Sequence, residues 1–391
     1  MPDDLDRPDE ELLPYEPIRR LNNDMKQAAL TMSDAEVRYL IDLYYLCQEG
    51  RKRSDNQIRA ARSDHEPNSL LTYLAGQMES FEGVCNGALQ AVARRTRAGR
   101  WCMGLKGVSG VLTAGLLANF DVRKAPTAAS FWRYSGLDPT FIWLGKEKAQ
   151  KLYAELREVA GRGSNAPQDL VDPAARRVFC TSDSLLARVE RQTRPRTSRE
   201  PVRSLDEVRD SLTRTQLINA LATRPWNATC KTLQWKLMDC LVKVQNRDGA
   251  PYYCRIYQDR KRKEWQWNFE GKFAEACTEA MTRNLTPLQR PWYSGGYNAE
   301  KLKAQWLEGK SPSTWDLLMD EERELEGTPM LPPGRIELRA RRIAVKQFLA
   351  DLHFCLHEET YGTTPQPNAE QRARGKTEFR PPPAFPHCTH T

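Results

Sequence analysis

A chain of 391 residues that is 40% hydrophobic and holds ten tryptophans has apolar material for two or three domains of ordinary size, which excludes wholesale disorder. Lysine and arginine total 59 against 51 acids, a formal charge of +8, so a polyanion is a plausible kind of partner. The longest mostly apolar stretch, residues 107–120, is about fourteen residues and interrupted by glycines, too short to span a bilayer, and the acidic N-terminus lacks the apolar segment of a secretory signal. The expected compartment is the cytosol, with no membrane partner, and the ten cysteines, which form no CxxC pair, read as reduced and mostly buried.

Residues 1–18 read as a solvated acidic tail: Asp3, Asp4, Asp6, Asp9, Glu10, Glu11 and Glu16 stand against Arg7. Residues 19–104 read as a helical region. Ser33-Asp-Ala-Glu36 is a capping-box pattern, and Val37, Leu40, Ile41, Tyr44 and Tyr45 follow at helical spacing, which predicts a helix from about Asp34 towards Arg59. A second helix is predicted after Pro67-Asn-Ser69. Its Leu71, Leu74, Met78, Phe81, Cys85, Ala88 and Val92 alternate steps of three and four, a three-heptad seam that serves either the chain's own core or a homo-oligomer.

Residues 105–145 hold the segment richest in chemistry. Leu105-Lys-Gly-Val-Ser-Gly110 has the form apolar-x-Gly-apolar-x-Gly and leads into a helix of small residues to Phe120, the pattern of a helix-hairpin-helix. Such a turn points consecutive amides outward at the positive end of the next helix, which suits a phosphate oxygen, so Lys106, Gly107, Val108, Ser109 and Gly110 are the first candidate nucleic-acid-binding residues. A contact of this kind positions a backbone without reading bases. A plain helix–helix turn with no ligand is the competing reading.

Residues 146–223 are polar and arginine-rich and read as an inserted basic small domain. Arg188, Arg191, Arg194, Arg196, Arg199 and Arg203, with Pro195 and Pro201, read as a partly flexible connector. Residues 224–362 read as a helical continuation of the core. A helix is predicted from Lys231, with a basic stripe of Lys236, Lys243 and Arg247, and another from Tyr252 to about Arg283. In the latter, Arg260-Lys261-Arg262-Lys263 precedes Trp265 and Trp267, the interleaving of charge and aromatic rings that single-strand binders use, although tryptophans at this spacing are more often core. A last helix is predicted over residues 335–361, where Arg335, Arg339, Arg342 and Lys346 form one basic line suited to phosphates or to a solvated face. Residues 363–391, proline-rich, read as a disordered tail.

The predicted fold class is therefore mainly α: a helical bundle with long N-terminal helices, a helix-hairpin-helix core and an inserted small domain. No cofactor motif is found, and the hairpin leaves room for a divalent or monovalent cation at most. His353-x-x-x-His357 and His387-Cys-Thr-His390 have metal-ligand spacing without a third ligand, so no metal site is assigned.

Leu105–Phe120, followed by Ala125-Pro-Thr-Ala-Ala-Ser-Phe-Trp-Arg-Tyr-Ser-Gly-Leu-Asp-Pro139, resembles the C-terminal domain of the IS-one-ten insertion-sequence transposases, bridge-RNA-guided recombinases. In that family a hairpin and helix lead to Tyr-Ala-Gly-Leu-x-Pro, matched here by Tyr134-Ser-Gly-Leu-Asp-Pro139, and Asn227-Ala-Thr-Cys-Lys-Thr-Leu-Gln-Trp235 is the counterpart of a later helix. The resemblance implies DNA as partner, with RNA as a further one. It also implies a nucleophilic serine just past the Gly-Leu-x-Pro. Here that stretch is Thr140-Phe-Ile-Trp-Leu-Gly-Lys146, which leaves Ser109 and Ser135 as the nearby candidates, and no RuvC-like domain precedes the hairpin. Three expectations stand: a DNA-binding protein related to a transposase domain; an active transposase or recombinase of a mobile element or phage; and a helical oligomerising adaptor.

Overall fold

The computed structural model describes residues 23–61, 69–140, 142–160, 166–195, 201–320, 322, 324–325, 327–365 and 382. The acidic segment 1–18, almost all of 363–391, and Arg196 and Arg199 lie outside them. The fold is mainly α, and among the described residues there is no strand.

A short helix α1 (Asn23–Leu30) precedes α2 (Asp34–Ala61) and α3 (Ser69–Arg94). The start of α2 is fixed by the capping box: Ser33 N–H donates to Glu36 at 2.7 Å and Glu36 N–H to the Ser33 hydroxyl at 3.4 Å. α2 and α3 are antiparallel, because Arg51 pairs with Glu82 at 2.7 Å while Val37 shares a core with Val92. The seam on α3 divides. Ala88 and Val92 are spent on the core with α1, α2 and the hairpin's second helix and Cys85 is buried, whereas Leu71, Leu74, Met78 and Phe81 stay 39–59% exposed.

The hairpin follows as α4 (Arg97–Gly104) and α5 (Gly110–Asn119), and α6 (Ala128–Tyr134) leads to the Gly-Leu-x-Pro turn. The insertion comprises α7 (Gly145–Ala160), α8 (Val171–Arg177), α9 (Ser182–Thr193), α10 (Leu205–Asp210) and α11 (Arg214–Ala222). It encloses a core of its own, with Leu170, Val171, Leu185, Leu217 and Leu221 nearly inaccessible to solvent. Much of the arginine-rich stretch that reads as a connector is helix: Arg188 and Arg191 lie on α9, since Leu185, Leu186 and Val189 give that segment an apolar face to bury.

The chain returns in α12 (Ala228–Val244), which begins three residues before Lys231 because Asn227 caps it, its side chain accepting from Cys230 N–H at 3.0 Å. The single helix predicted over 252–283 is two, α13 (Tyr252–Phe269) and α14 (Ala274–Met281), broken where Gly271 takes a φ of +73°. Short α15 (Arg290–Ser294) and α16 (Ala299–Leu307) surround an aromatic cluster of Trp265, Phe269 and Trp315. α17 (Pro333–Tyr361) runs through the centre, and Gly362 ends it with a φ of +68°. The main core joins α4, α5, α6, α12, α13 and α17 around Trp101, Leu116, Phe131, Leu237, Tyr253 and Phe348.

Candidate nucleic-acid interface

The turn between α4 and α5 is closed by Leu105 N–H donating to Cys102 C=O at 3.1 Å and Val108 N–H to Leu105 C=O at 3.0 Å. Val108 is buried and plugs the turn onto the core, while Lys106, Gly107 and Ser109 face solvent. Gly107 is required twice: its φ is +92°, and a Cβ there would lie 3.0 Å from Val244 and 3.2 Å from the Cys240 carbonyl on α12. Gly110 lets α5 approach α3, where a Cβ would meet Gln90 at 2.5 Å. The amides of Gly107, Ser109 and Gly110 meet no acceptor among the described residues. The hairpin is thus exposed at Lys106, Gly107 and Ser109. Lys106, however, is turned aside, its ammonium held on the Asp248 carbonyl.

The cationic residues read from the sequence meet different fates. Arg260 and Arg339 converge from α13 and α17 on Glu264, which is fully buried, at 2.5 and 2.6 Å. Lys261 pairs with Glu337 at 2.9 Å, Lys243 with Asp239 at 2.6 Å, and Arg262 sits 3.8 Å from Asp259. Lys263 lies over the Trp267 ring, Lys236 over Tyr45 and Lys346 over Trp132. Trp265 is core, whereas half-buried Trp267 carries Arg260 on its face at 4.8 Å. Arg260 and Lys261 therefore help to clamp α13 to α17, while Arg262 and Lys263 stay exposed on partners of their own helix. Arg342 makes no ion pair among the described residues, and it is drawn to another group of cations.

That group is hidden in the sequence because its members come from α9, the segment before α12, α12 and α17. The two strands of chain that enter and leave the insertion are stitched side by side: Trp143 Nε1–H donates to Ala222 C=O at 2.9 Å, and Asn227 N–H to Tyr134 C=O at 2.8 Å. Gly136, the glycine of the Gly-Leu-x-Pro turn, has a φ of +72°, and a Cβ there would stand 2.7 Å from the Trp226 ring. That close approach seats Trp226 at the junction. Beside it lies a cleft of about 370 Å³ lined by Tyr134, Arg188, Arg191, Arg224 and Trp226, with no acid in its wall. Arg224 lies 4.7 Å above Trp143 and Lys231 4.4 Å above Trp226.

Arg188 is only 8% exposed and has no acid or hydrogen-bond partner among the described residues; burial pushes its guanidinium pKa down. Lys231 is lowered by burial, and then by Arg342 and Arg224. Arg342 is lowered by burial, and then by Arg339 and Arg335. Burial is the first cause of each shift, and for Lys231 and Arg342 neighbouring cations add to it. The row runs Arg188, Arg191, Arg224, Lys231, Arg342. The arginine pattern on α9 signalled one end of it; nothing in the local sequence signalled Arg224 or Lys231.

The two serines serve the fold. Ser135 is fully buried and its hydroxyl donates to the Phe131 carbonyl at 2.5 Å, which removes it from any substrate. Ser109 is exposed but caps α5, accepting from Leu112 N–H at 3.3 Å. His353 is buried with Nε2 at 2.8 Å from the Ala125 carbonyl, and burial lowers its pKa. Among the described residues no three His, Cys, Asp or Glu side chains gather as metal ligands, and no helix is long and apolar enough to cross a membrane. No family model, curated protein or solved structure matches the chain.

Proposed function

We propose that this protein binds nucleic acid through the phosphate backbone, as a non-enzymatic relative of a transposase DNA-binding domain. The observation that carries the reading is the row of Arg188, Arg191, Arg224, Lys231 and Arg342, which has no acid partner and is interleaved with Trp143 and Trp226. Arg260 and Arg339 already share the Glu264 carboxylate, so the row without acids is where a polyanion gains most. The exposed amides of Gly107 and Ser109 supply a second phosphate contact, and the resemblance of residues 105–139 to the transposase domain points to DNA.

Five phosphate contacts imply an affinity that falls between 50 and 200 mM salt by roughly five-hundredfold for duplex DNA and about a hundredfold for a single strand. The double variant Arg224→Gln, Lys231→Gln is expected to bind about tenfold more weakly and to flatten the salt slope by about one to two. Fluorescence anisotropy with labelled DNA measures both. Affinity that ignores salt, or a double variant that binds as the wild type does, overturns the proposal.

A second reading concerns assembly. Leu71, Leu74, Met78 and Phe81 continue the heptad spacing of the buried part of α3 yet face solvent, which favours a second copy of the chain as their cover.

A further inference from the structure

On the other side of Lys231 from the Trp226 cleft lies a smaller pocket of about 120 Å³. Its walls are mostly apolar, from Leu137, Met238 and Val345, and Lys231 and Arg342 stand in its lining with no acid beside them. Gln234 of α12 is one of its residues. That side chain is 2% exposed, and both its Nε2 and its Oε1 are buried without a hydrogen-bond partner. A buried amide with neither atom satisfied is costly, and leucine would fill the same volume without that cost. A ligand that offers an acceptor beside a donor would satisfy both atoms.

We infer that the Gln234 pocket takes one unpaired base of a nucleic-acid strand, whose flanking phosphates lie on Lys231 and Arg342. This rests on the cation row being a nucleic-acid surface. A base edge presents the required neighbouring donor and acceptor, and a glutamine amide is the bidentate partner of adenine N6 and N7. The apolar wall suits the base faces, and Trp235, 56% exposed on the pocket's rim, supplies a stacking surface. The base must be unpaired. Reading a duplex groove needs a side chain that projects into it, whereas Gln234 is recessed in the body of the protein.

The test uses the full-length chain and three probes: a labelled oligodeoxyadenylate, an abasic strand of equal length and charge, and free adenosine monophosphate. The wild type is expected to bind the adenine strand at least about fivefold more tightly than the abasic one. Gln234→Leu is expected to melt no lower than the wild type and to bind both strands alike. Trp235→Ala, altering an exposed side chain, is expected to narrow the preference by about fivefold without loss of fold.

Equal binding of both strands by the wild type at low salt overturns this inference and leaves the phosphate-binding reading standing. A base preference that survives Gln234→Leu also overturns it. Adenosine monophosphate bound as tightly as the strand overturns the assignment to a strand. Failure of both strands to bind removes the underlying reading, and this one with it.

Discussion

Asp351 shows what a single buried group contributes. It lies inside the core on α17, where its carboxyl accepts from the Tyr253 hydroxyl at 2.7 Å and from Gln347 Nε2 at 2.8 Å. Burial dominates over both hydrogen bonds and raises its pKa to about 6. The folded state therefore holds this proton more tightly than the unfolded chain does. The stability that Asp351 adds is fully present below its unfolded pKa near 3.8 and is lost as pH rises through about 6. The loss is on the order of 3 kcal/mol. Asp351→Asn, which keeps the shape without the charge, is expected to raise stability by about 2 kcal/mol at pH 7.5 and to change it little near pH 4. Urea unfolding of both proteins at the two pH values checks this, and a variant less stable than the wild type at pH 7.5 refutes it. Buried His353 acts oppositely: its lowered pKa makes stability fall as pH drops through the unfolded value, so only the difference between variant and wild type isolates Asp351.

At the scale of elements, α13 and α17 are joined by charge as well as by packing. Glu264 holds Arg260 on its own helix and Arg339 on the neighbour, while Glu337 takes Lys261, Arg341 and the Tyr257 hydroxyl. Removing the shared acid leaves two arginines drawn into the protein without compensation. Glu264→Ala is expected to cost on the order of 3 kcal/mol, read as a lowered urea midpoint, whereas Arg339→Ala costs less because that side chain is 41% exposed. Equal losses from the two substitutions would show that Glu264 is not the hub.

The same clamp explains what was and was not legible beforehand. Helix limits are local matters of caps and glycines, so Ser33 with Glu36, the glycines of the hairpin and the end of α17 at Gly362 could be read directly, whereas the Asn227 cap and the break at Gly271 escape that reading. Whether a cation is open to a ligand is a tertiary matter. Arg260 and Arg339 look free in the sequence until α13 and α17 pack and place both on one acid. Lys231 looks like the first residue of a helix until the Gly136 turn brings Trp226 beneath it. Gln234, between Leu233 and Trp235, has no local signal at all, because only the packing of α12 against α17 buries it.

Across the whole molecule, the densest group of exposed apolar side chains on one helix lies on other elements than the cation row. The unpaired cations gather where the insertion leaves the main body, while a run of exposed apolar residues lies on the outer half of the α2–α3 hairpin. There α3 buries only Ala75 from its apolar face, and Leu70, Leu71, Tyr73, Leu74, Met78 and Phe81 stand open. Six large side chains on three turns form a contiguous apolar face of the sort that marks a protein contact. A charge at its centre should therefore act on assembly and spare the fold. Phe81 is 59% exposed, so Phe81→Asp is expected to leave the melting temperature within a few degrees and to convert an oligomer into single chains by multi-angle light scattering. DNA affinity per chain should be unchanged, because the cation row lies on other elements, although avidity on long DNA should fall. An oligomer that survives the substitution places its interface elsewhere. A wild type that is already a single chain at high concentration assigns the face to a different protein.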